Sequence, residues 1–253
     1  MKIFDSHFHI IDSSYPLYEN NGFMPEDFLV KDYLTKTQEL DLEAVGGAVV
    51  SGSFQKYDQE YLKASLAKLG SNFVGITQLP LDTTTSELND QNQAGIKGIR
   101  FNLYRGLNES IDDIKSFSNR VYEQHGWTTE FYIDLETISD ELFETLLELP
   151  RTSVDHLGMS SAGRDKLLLL AKANKRIKVT GFGRIGYEEQ ELKTLLRELY
   201  EINPEVLIFG TDLPSTRARK VFSKDDIVLL EEIFTKEELE SVMLTNAKKW
   251  YLG

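Results

Sequence analysis

The chain has 253 residues, 41% of them apolar and 27% charged, with no cysteine and a formal net charge of −13. Disulfides and thiolate chemistry are excluded, and so acidic a chain disfavours nucleic acid as a partner, because phosphates need a basic surface. No apolar run approaches the ~20 residues of a membrane span, and the start, Met-Lys-Ile-Phe-Asp, lacks a signal peptide's long apolar stretch. These bounds predict a cytoplasmic protein with no nucleic-acid partner and no membrane association, and a small-molecule substrate rests on the site residues. A homo-oligomer is compatible with them.

Taken in order, the first apolar run, Ile3-Phe4, leads into Asp5-Ser6-His7-Phe8-His9. On a regular strand Asp5, His7 and His9 share one face and Phe4 and Phe8 the other. Two imidazoles about 7 Å apart on a rigid face form a pincer for a metal ion or for a reacting carbonyl. A pair of hydrogen-bonded imidazoles with no such task is the plainer alternative. The loop over 10–25 is long for a βα connection, and long loops there are often functional.

Further β-rich runs follow near 45–51, 73–79, 96–102, 128–134, 152–157, 176–182 and 206–211. Amphipathic or charged stretches at 26–42, 57–69, 111–124, 137–148, 161–174, 187–202 and 225–234 read as helices, 83–94 as a weak one, and 236–252 as a closing one. Alternation at intervals of about thirty residues signals βαβ units and a parallel sheet. Eight strands in this length predict an α/β fold, one (β/α)8 TIM barrel, as a single domain over 1–253.

In such a barrel chemistry gathers at the C-terminal strand ends. Strand one offers His7 and His9, strand two Ser51, strand three Gln78. Strand four places Arg100 and Asn102 together. Strand five alternates Thr128, Glu130, Tyr132 and Asp134 with Thr129, Phe131, Ile133 and Leu135, so one face is polar and needs a wet or occupied cavity. Strand six ends Asp155-His156, strand seven leads to Arg184, and strand eight ends at Asp212. Taken singly, Asp212 could be a helix cap, His156 a core histidine and Arg100 a wall salt bridge. Together, three of the four histidines with one aspartate and several arginines fall at one rim. The fourth, His125, precedes Gly126 at a predicted helix end and suits the helix dipole there.

His-x-His on strand one, His156 on strand six and Asp212 on strand eight resemble the amidohydrolase superfamily of (β/α)8 hydrolases. The segments GIRFN (98–102), DHLG (155–158), TGFGRIG (180–186) and GTDLPSTR (210–217) resemble its amidohydrolase-2 group. Within it they are similar to the 2-pyrone-4,6-dicarboxylate lactonase and sugar-lactonase branch. Binuclear members of the superfamily resemble one another in a bridging carboxylated lysine or Glu on strand four and a His on strand five. Here Lys97 is out of phase with Arg100, and Tyr132 stands where that His would be. The resemblance therefore implies at most one divalent metal ion, zinc by preference, on His7, His9 and Asp212. The lactonase branch also works without one.

The implied function is a hydrolase that opens a lactone of a small anionic or polyhydroxylated molecule. Asp212 is the expected general base, and His7, His9 and His156, or a metal they hold, polarise the carbonyl. Arg100 is the expected carboxylate clamp, with Asn102, Tyr132, Arg184, Arg217 and Arg105 as further substrate contacts. A mononuclear metal-dependent amidohydrolase or decarboxylase of the same fold is the alternative, and a non-catalytic barrel that binds a small acid is the rival of another class. A TatD-like nuclease is disfavoured by the charge and by the missing strand-four Glu and strand-five His.

Overall fold

The computed structural model describes residues 1–105 and 109–253. Eight strands form one parallel sheet in chain order: β1 (Lys2–Phe8), β2 (Glu43–Val50), β3 (Phe73–Thr77), β4 (Ile96–Phe101), β5 (Thr128–Phe131), β6 (Thr152–Val154), β7 (Arg176–Val179) and β8 (Leu207–Phe209). Between them run α1 (Val30–Glu39), α2 (Glu60–Leu69), α3 (Thr85–Gln93), α4 (Ile111–His125), α5 (Asp140–Glu148), α6 (Arg164–Lys172) and α7 (Glu189–Ile202). After β8 come α8 (Lys224–Ile233), α9 (Lys236–Glu240) and α10 (Asn246–Leu252). This is the (β/α)8 barrel that the strand–helix alternation predicts.

Neighbouring residues on one strand bury against different layers. Val49 packs with the helices, while Ala48 and Val50 join Phe4, Val74, Ile76 and Ile208 in a smaller cluster closed by Ala247 and Tyr251 of α10. That period of two makes the smaller cluster the lining of the barrel lumen. The helices complement it with stripes at helical spacing, such as Leu192, Leu195, Leu196 and Leu199 on α7.

β1 and β8 are joined at the rim, where Asp212 N donates to His7 O at 2.8 Å or less (2.7 Å) and His9 N to Leu213 O at 2.8 Å. The residues read as chemical thus also complete the barrel. Gly210 permits this close approach, since a Cβ there would lie 2.6 Å from His7 N.

Three local expectations are corrected. The pairing of β1 with β2 shifts register between Asp5 and Phe8. An irregular step there breaks the alternation, so Asp5 does not share the face of His7 and His9. Instead Asp5 accepts from Tyr33 of α1 and from Thr211, and Phe4 and Phe8 lie in different clusters. β5 ends at Phe131, and Asp134 lies beyond it in a turn, bonded to Ser160 and to the backbone of Glu136. The stretch near 83–94 is a regular helix, because Thr84 and Glu87 form a reciprocal cap at its start. The closing helix is continuous but changes to a π turn over Ser241–Thr245.

His125 stands in the last turn of α4, before Gly126 in the left-handed conformation at φ 67°. Burial, with Lys97 nearby, lowers its pKa, which weakens any role as a cation facing the dipole.

Candidate active site

β1 brings His7 and His9 to the C-terminal rim, and the backbone just beyond β8 brings Asp212 between them. His7 Nε2 lies 3.7 Å from Asp212 Oδ1, and His9 Nε2 lies 3.6 Å from the same oxygen. All three side chains are buried. His9 Nδ1 is 2.7 Å from Val50 O, so it carries the hydrogen, and Nε2 presents a lone pair to the site. His7 Nε2 and Asp212 Oδ1 have no hydrogen-bond partner among the described residues. Buried polar atoms are rarely left so, and here they point at one another across a gap.

The other oxygen of Asp212 is fully engaged. Arg184 approaches Oδ2 with Nε at 2.8 Å and Nη2 at 2.6 Å. Burial opposes ionisation of Asp212, but the Arg184 guanidinium and the nearby histidines hold its carboxyl far below the usual carboxylate range.

His156 follows β6, its ring 4.9 Å from that of His7. Its Nδ1 and backbone N both meet Thr180 Oγ1, at 2.7 and 3.2 Å. Burial pushes its pKa down to about 3, so it is neutral. Its backbone sits at φ 50° and that of Asp212 at φ 56°. Such left-handed conformations are costly for residues with a Cβ and cluster at functional sites. A side chain on Gly181 would lie 2.7 Å from His156 Nδ1, which explains the glycine there.

Arg100 is brought to the site but is not free. Its Nε and Nη2 lie 2.9 and 2.8 Å from Asp155 Oδ2, and its Nη1 is 3.1 Å from Ser51 O. Ser51 and Gln78 brace each other at 3.1 Å. Tyr132 lies beside the Arg100 guanidinium, which is 5.0 Å from its ring centroid. The Tyr132 hydroxyl and Asn102 Oδ1 are buried and have no hydrogen-bond partner among the described residues.

Above these groups is a cavity lined among others by His9, His156, Asn102, Tyr132 and the four arginines Arg100, Arg105, Arg184 and Arg217. Four guanidiniums around one small cavity create a local positive field in an acidic protein. Arg217 is tied to the Asn20 backbone carbonyl and to Asn20 Oδ1, and it lies over the Phe23 ring at 4.5 Å. The long β1–α1 loop is thereby fastened across the mouth.

Beneath the histidines lies a group that sequence reasoning missed. Lys178 on β7 is fully buried and reaches Glu130 on β5, Asp155 Oδ1 at 3.4 Å and His7 Nδ1 at 3.2 Å. Glu130 in turn accepts from the Tyr251 hydroxyl at 2.5 Å. A signal existed in Arg176-Ile177-Lys178-Val179, where a charged residue alternates with apolar ones on a barrel strand. Asp155 likewise belongs to this network, although the sequence marks it only as a strand end. Burial works against its ionisation, but Lys178 and Arg100 hold its carboxyl well below the usual range.

His7, His9 and Asp212 offer three ligand atoms within 4.8 Å of one another, and so do His7, Asp155 and His156. The first set has donor types that suit a divalent ion such as zinc, and it can hold one only where His7 offers the lone pair of Nε2. The second set fits poorly, because Asp155 already carries Arg100 and Lys178.

A parallel eight-stranded barrel with a His-x-His, a His and an Asp at its rim defines a (β/α)8 hydrolase. The chain belongs to the amidohydrolase family, whose profile, that of the amidohydrolase-2 group, matches residues 4–252. It is similar to a 4-sulfomuconolactone hydrolase from Hydrogenophaga intermedia, 24% identical over 98% of this chain and 88% of the relative. It is also similar to a 2-pyrone-4,6-dicarboxylate hydrolase from Comamonas testosteroni, 20% identical over 96% and 87%. Among solved structures, a "probable 2-pyrone-4,6-dicarboxylic acid hydrolase" from Acinetobacter baumannii with citric acid bound superposes with a TM-score of 0.83, at 22% identity and 99% coverage of both chains. An apo structure from Agrobacterium tumefaciens gives 0.82, at 17% identity over 98% and 95%. The chain is an enzyme, a hydrolase related to lactone hydrolases. None of its helices, among the described residues, is long and apolar enough to cross a membrane.

Proposed function

We propose that this enzyme opens the ring of a small anionic lactone, acting as a single cytoplasmic domain. The observation that carries this reading is the unpartnered Oδ1 of Asp212, set between two imidazole nitrogens under a cavity lined by four arginines. An anionic substrate suits the positive lining, to which Arg105 adds a guanidinium on the rim of the cavity. The named lactone hydrolases among the relatives, and the tricarboxylic acid in the Acinetobacter structure, support the same substrate class.

In this mechanism a water rests against Asp212 Oδ1. It attacks the lactone carbonyl carbon and gives its proton to that oxygen, while Arg184 keeps the carboxylate in place through Oδ2. The carbonyl π electrons move to the oxygen, and donors from the histidine cluster and Tyr132 stabilise the oxyanion. Collapse of the tetrahedral centre breaks the ring C–O bond, and the departing oxygen recovers the proton from Asp212. Arg105 and Arg217, with Asn102, receive the substrate's anionic group. Arg100, held by Asp155, contributes positive potential more than a free fork.

Were His7 to carry its ring hydrogen on Nδ1, a single divalent ion, zinc by its donor set, would be held by His7, His9 and Asp212. When bound it would polarise the carbonyl and lower the pKa of a bound water.

The test is a panel of sugar lactones, pyrone dicarboxylates and muconolactones given to purified protein, with ring opening followed by proton release and the metal content measured in parallel. Hydrolysis of an anionic lactone supports the reading. Tight binding of acids with no turnover of any lactone would overturn it in favour of a binding barrel.

A further inference from the structure

We infer that Lys178 is a positioning residue: from beneath the active site it keeps the ring hydrogen of His7 on Nε2, so that His7, His9 and Asp212 cradle a water and not a metal ion. The tautomer assignment stands on geometry alone, and only the role of that water rests on the lactonase reading.

An ammonium has three hydrogens and no lone pair. Lys178 is hydrogen-bonded to Glu130 and to His7 Nδ1 at 3.2 Å, and it pairs by charge with Asp155 Oδ1, 3.4 Å away. Glu130 is kept in place from its other oxygen by Tyr251 at 2.5 Å, so the lysine has a fixed anchor. A nitrogen facing an ammonium hydrogen must offer its lone pair. In a neutral imidazole the hydrogen is then on the opposite nitrogen. For His7 that is Nε2, the atom 3.7 Å from Asp212 Oδ1.

The consequence is a matched set of three. His9 Nε2 and Asp212 Oδ1 are acceptors, and His7 Nε2–H is a donor. The two imidazole nitrogens lie 3.7 and 3.6 Å from the carboxylate oxygen, wide enough for a water about 2.8 Å from each atom. That water donates twice, accepts once and keeps one lone pair free for attack. A metal ion needs the reverse at His7, a lone pair on Nε2. That form arises only if His7 turns its Nδ1–H toward Asp155, 3.4 Å away, and gives up Lys178. Lys178 and a metal ion therefore compete for the same imidazole.

The test uses nitrogen-15 spectra of the ring nitrogens in the full-length enzyme, with the signals of its four histidines assigned through His9→Gln, His125→Gln and His156→Gln. His7 is expected as the Nε2–H form in the wild type. In Lys178→Met it should move to Nδ1–H, zinc affinity by calorimetry should rise at least ~10-fold, and kcat should fall roughly 10–100-fold, the range seen for such supporting contacts. A merely structural lysine would lower stability without moving the tautomer. Should Lys178→Met fail to fold, Lys178→Met/Glu130→Gln removes both members of the buried pair, and the wild-type spectrum decides in any case. A wild-type His7 with hydrogen on Nδ1, or a folded variant with unchanged tautomer and zinc affinity, would overturn the proposal. The tautomer and zinc-affinity readouts need no substrate, so failure of the lactone panel leaves them standing.

Discussion

Arg184 directs both of its near nitrogens, at 2.8 and 2.6 Å, to one oxygen of Asp212 and leaves the other oxygen to the cavity. One carboxylate thus has two separate tasks. Oδ2 is structural and Oδ1 is available for chemistry. Asp212→Asn should lower kcat by about 10²–10⁴-fold, the usual cost of removing a general base, with KM changed little. Steady-state kinetics on the best lactone of the panel would check this. Unchanged turnover would remove Asp212 from the mechanism.

Arg100 and Arg105 should separate stability from binding. Arg100 is nearly fully buried against Asp155, and removing one member of a buried pair costs about 3–5 kcal/mol. Arg100→Met should therefore lower Tm sharply, whatever it does to KM. Arg105, on the rim of the cavity, should show the opposite pattern: Arg105→Met raises KM for an anionic lactone and leaves the melt nearly unchanged. Equal melting curves for the two variants would contradict the assignment.

Acid should weaken the fold before it reaches the ordinary carboxylate range. Burial lowers His156 from 6.5 to about 3, and it lowers His7 well below 6.5. Between those limits the unfolded chain binds protons that the folded chain refuses, so stability falls as pH drops. Asp5 acts in the other sense, because burial raises it from 3.8 to about 6 and the fold takes up its proton first. His125, also lowered, adds to the loss, and Glu130, raised by burial, opposes it, so the balance of these groups is a loss of stability as pH falls. Asp155 and Asp212, both depressed, add to the loss at lower pH. Urea melts at pH 7, 6, 5 and 4 would measure this, and a stability that stays flat from 7 to 5 would contradict it.

Metal content should not exceed one ion per chain. The second candidate set shares His7 with the first and depends on Asp155, which two cations already occupy. Elemental analysis after equilibration with excess zinc and desalting is the check. Two equivalents retained would refute the argument.

The barrel was legible because its strands are short apolar runs and its helices are amphipathic. The residues that meet at the rim were legible for a related reason: His9, His156 and Asp212 stand where such runs stop. Two features were hidden. The irregular step in β1 is set by pairing with β2, and no local pattern in Asp5-Ser6-His7 announces it. The partners of Arg100 and Lys178 come from other strands and the turns that follow them, Asp155 and Ser51 for the one and Glu130, Asp155 and His7 for the other, so their engagement depends on which residues share a level across the barrel. Arg100 is level with Glu130 in the β4–β5 pairing, and Glu130 with Ser153 in the next, relations that no single strand displays.

The connection from Tyr251 through Glu130 and Lys178 to His7 also bears on how this sequence can change over time. Its four members come from the last helix and three different strands, and all are buried. Replacing any one of them alone leaves a neighbour without a partner where water cannot reach. Drift at these positions should therefore be concerted. Among homologues, a lineage that has lost the lysine should also have lost the glutamate, and a tyrosine so far along the chain should track a histidine near its beginning.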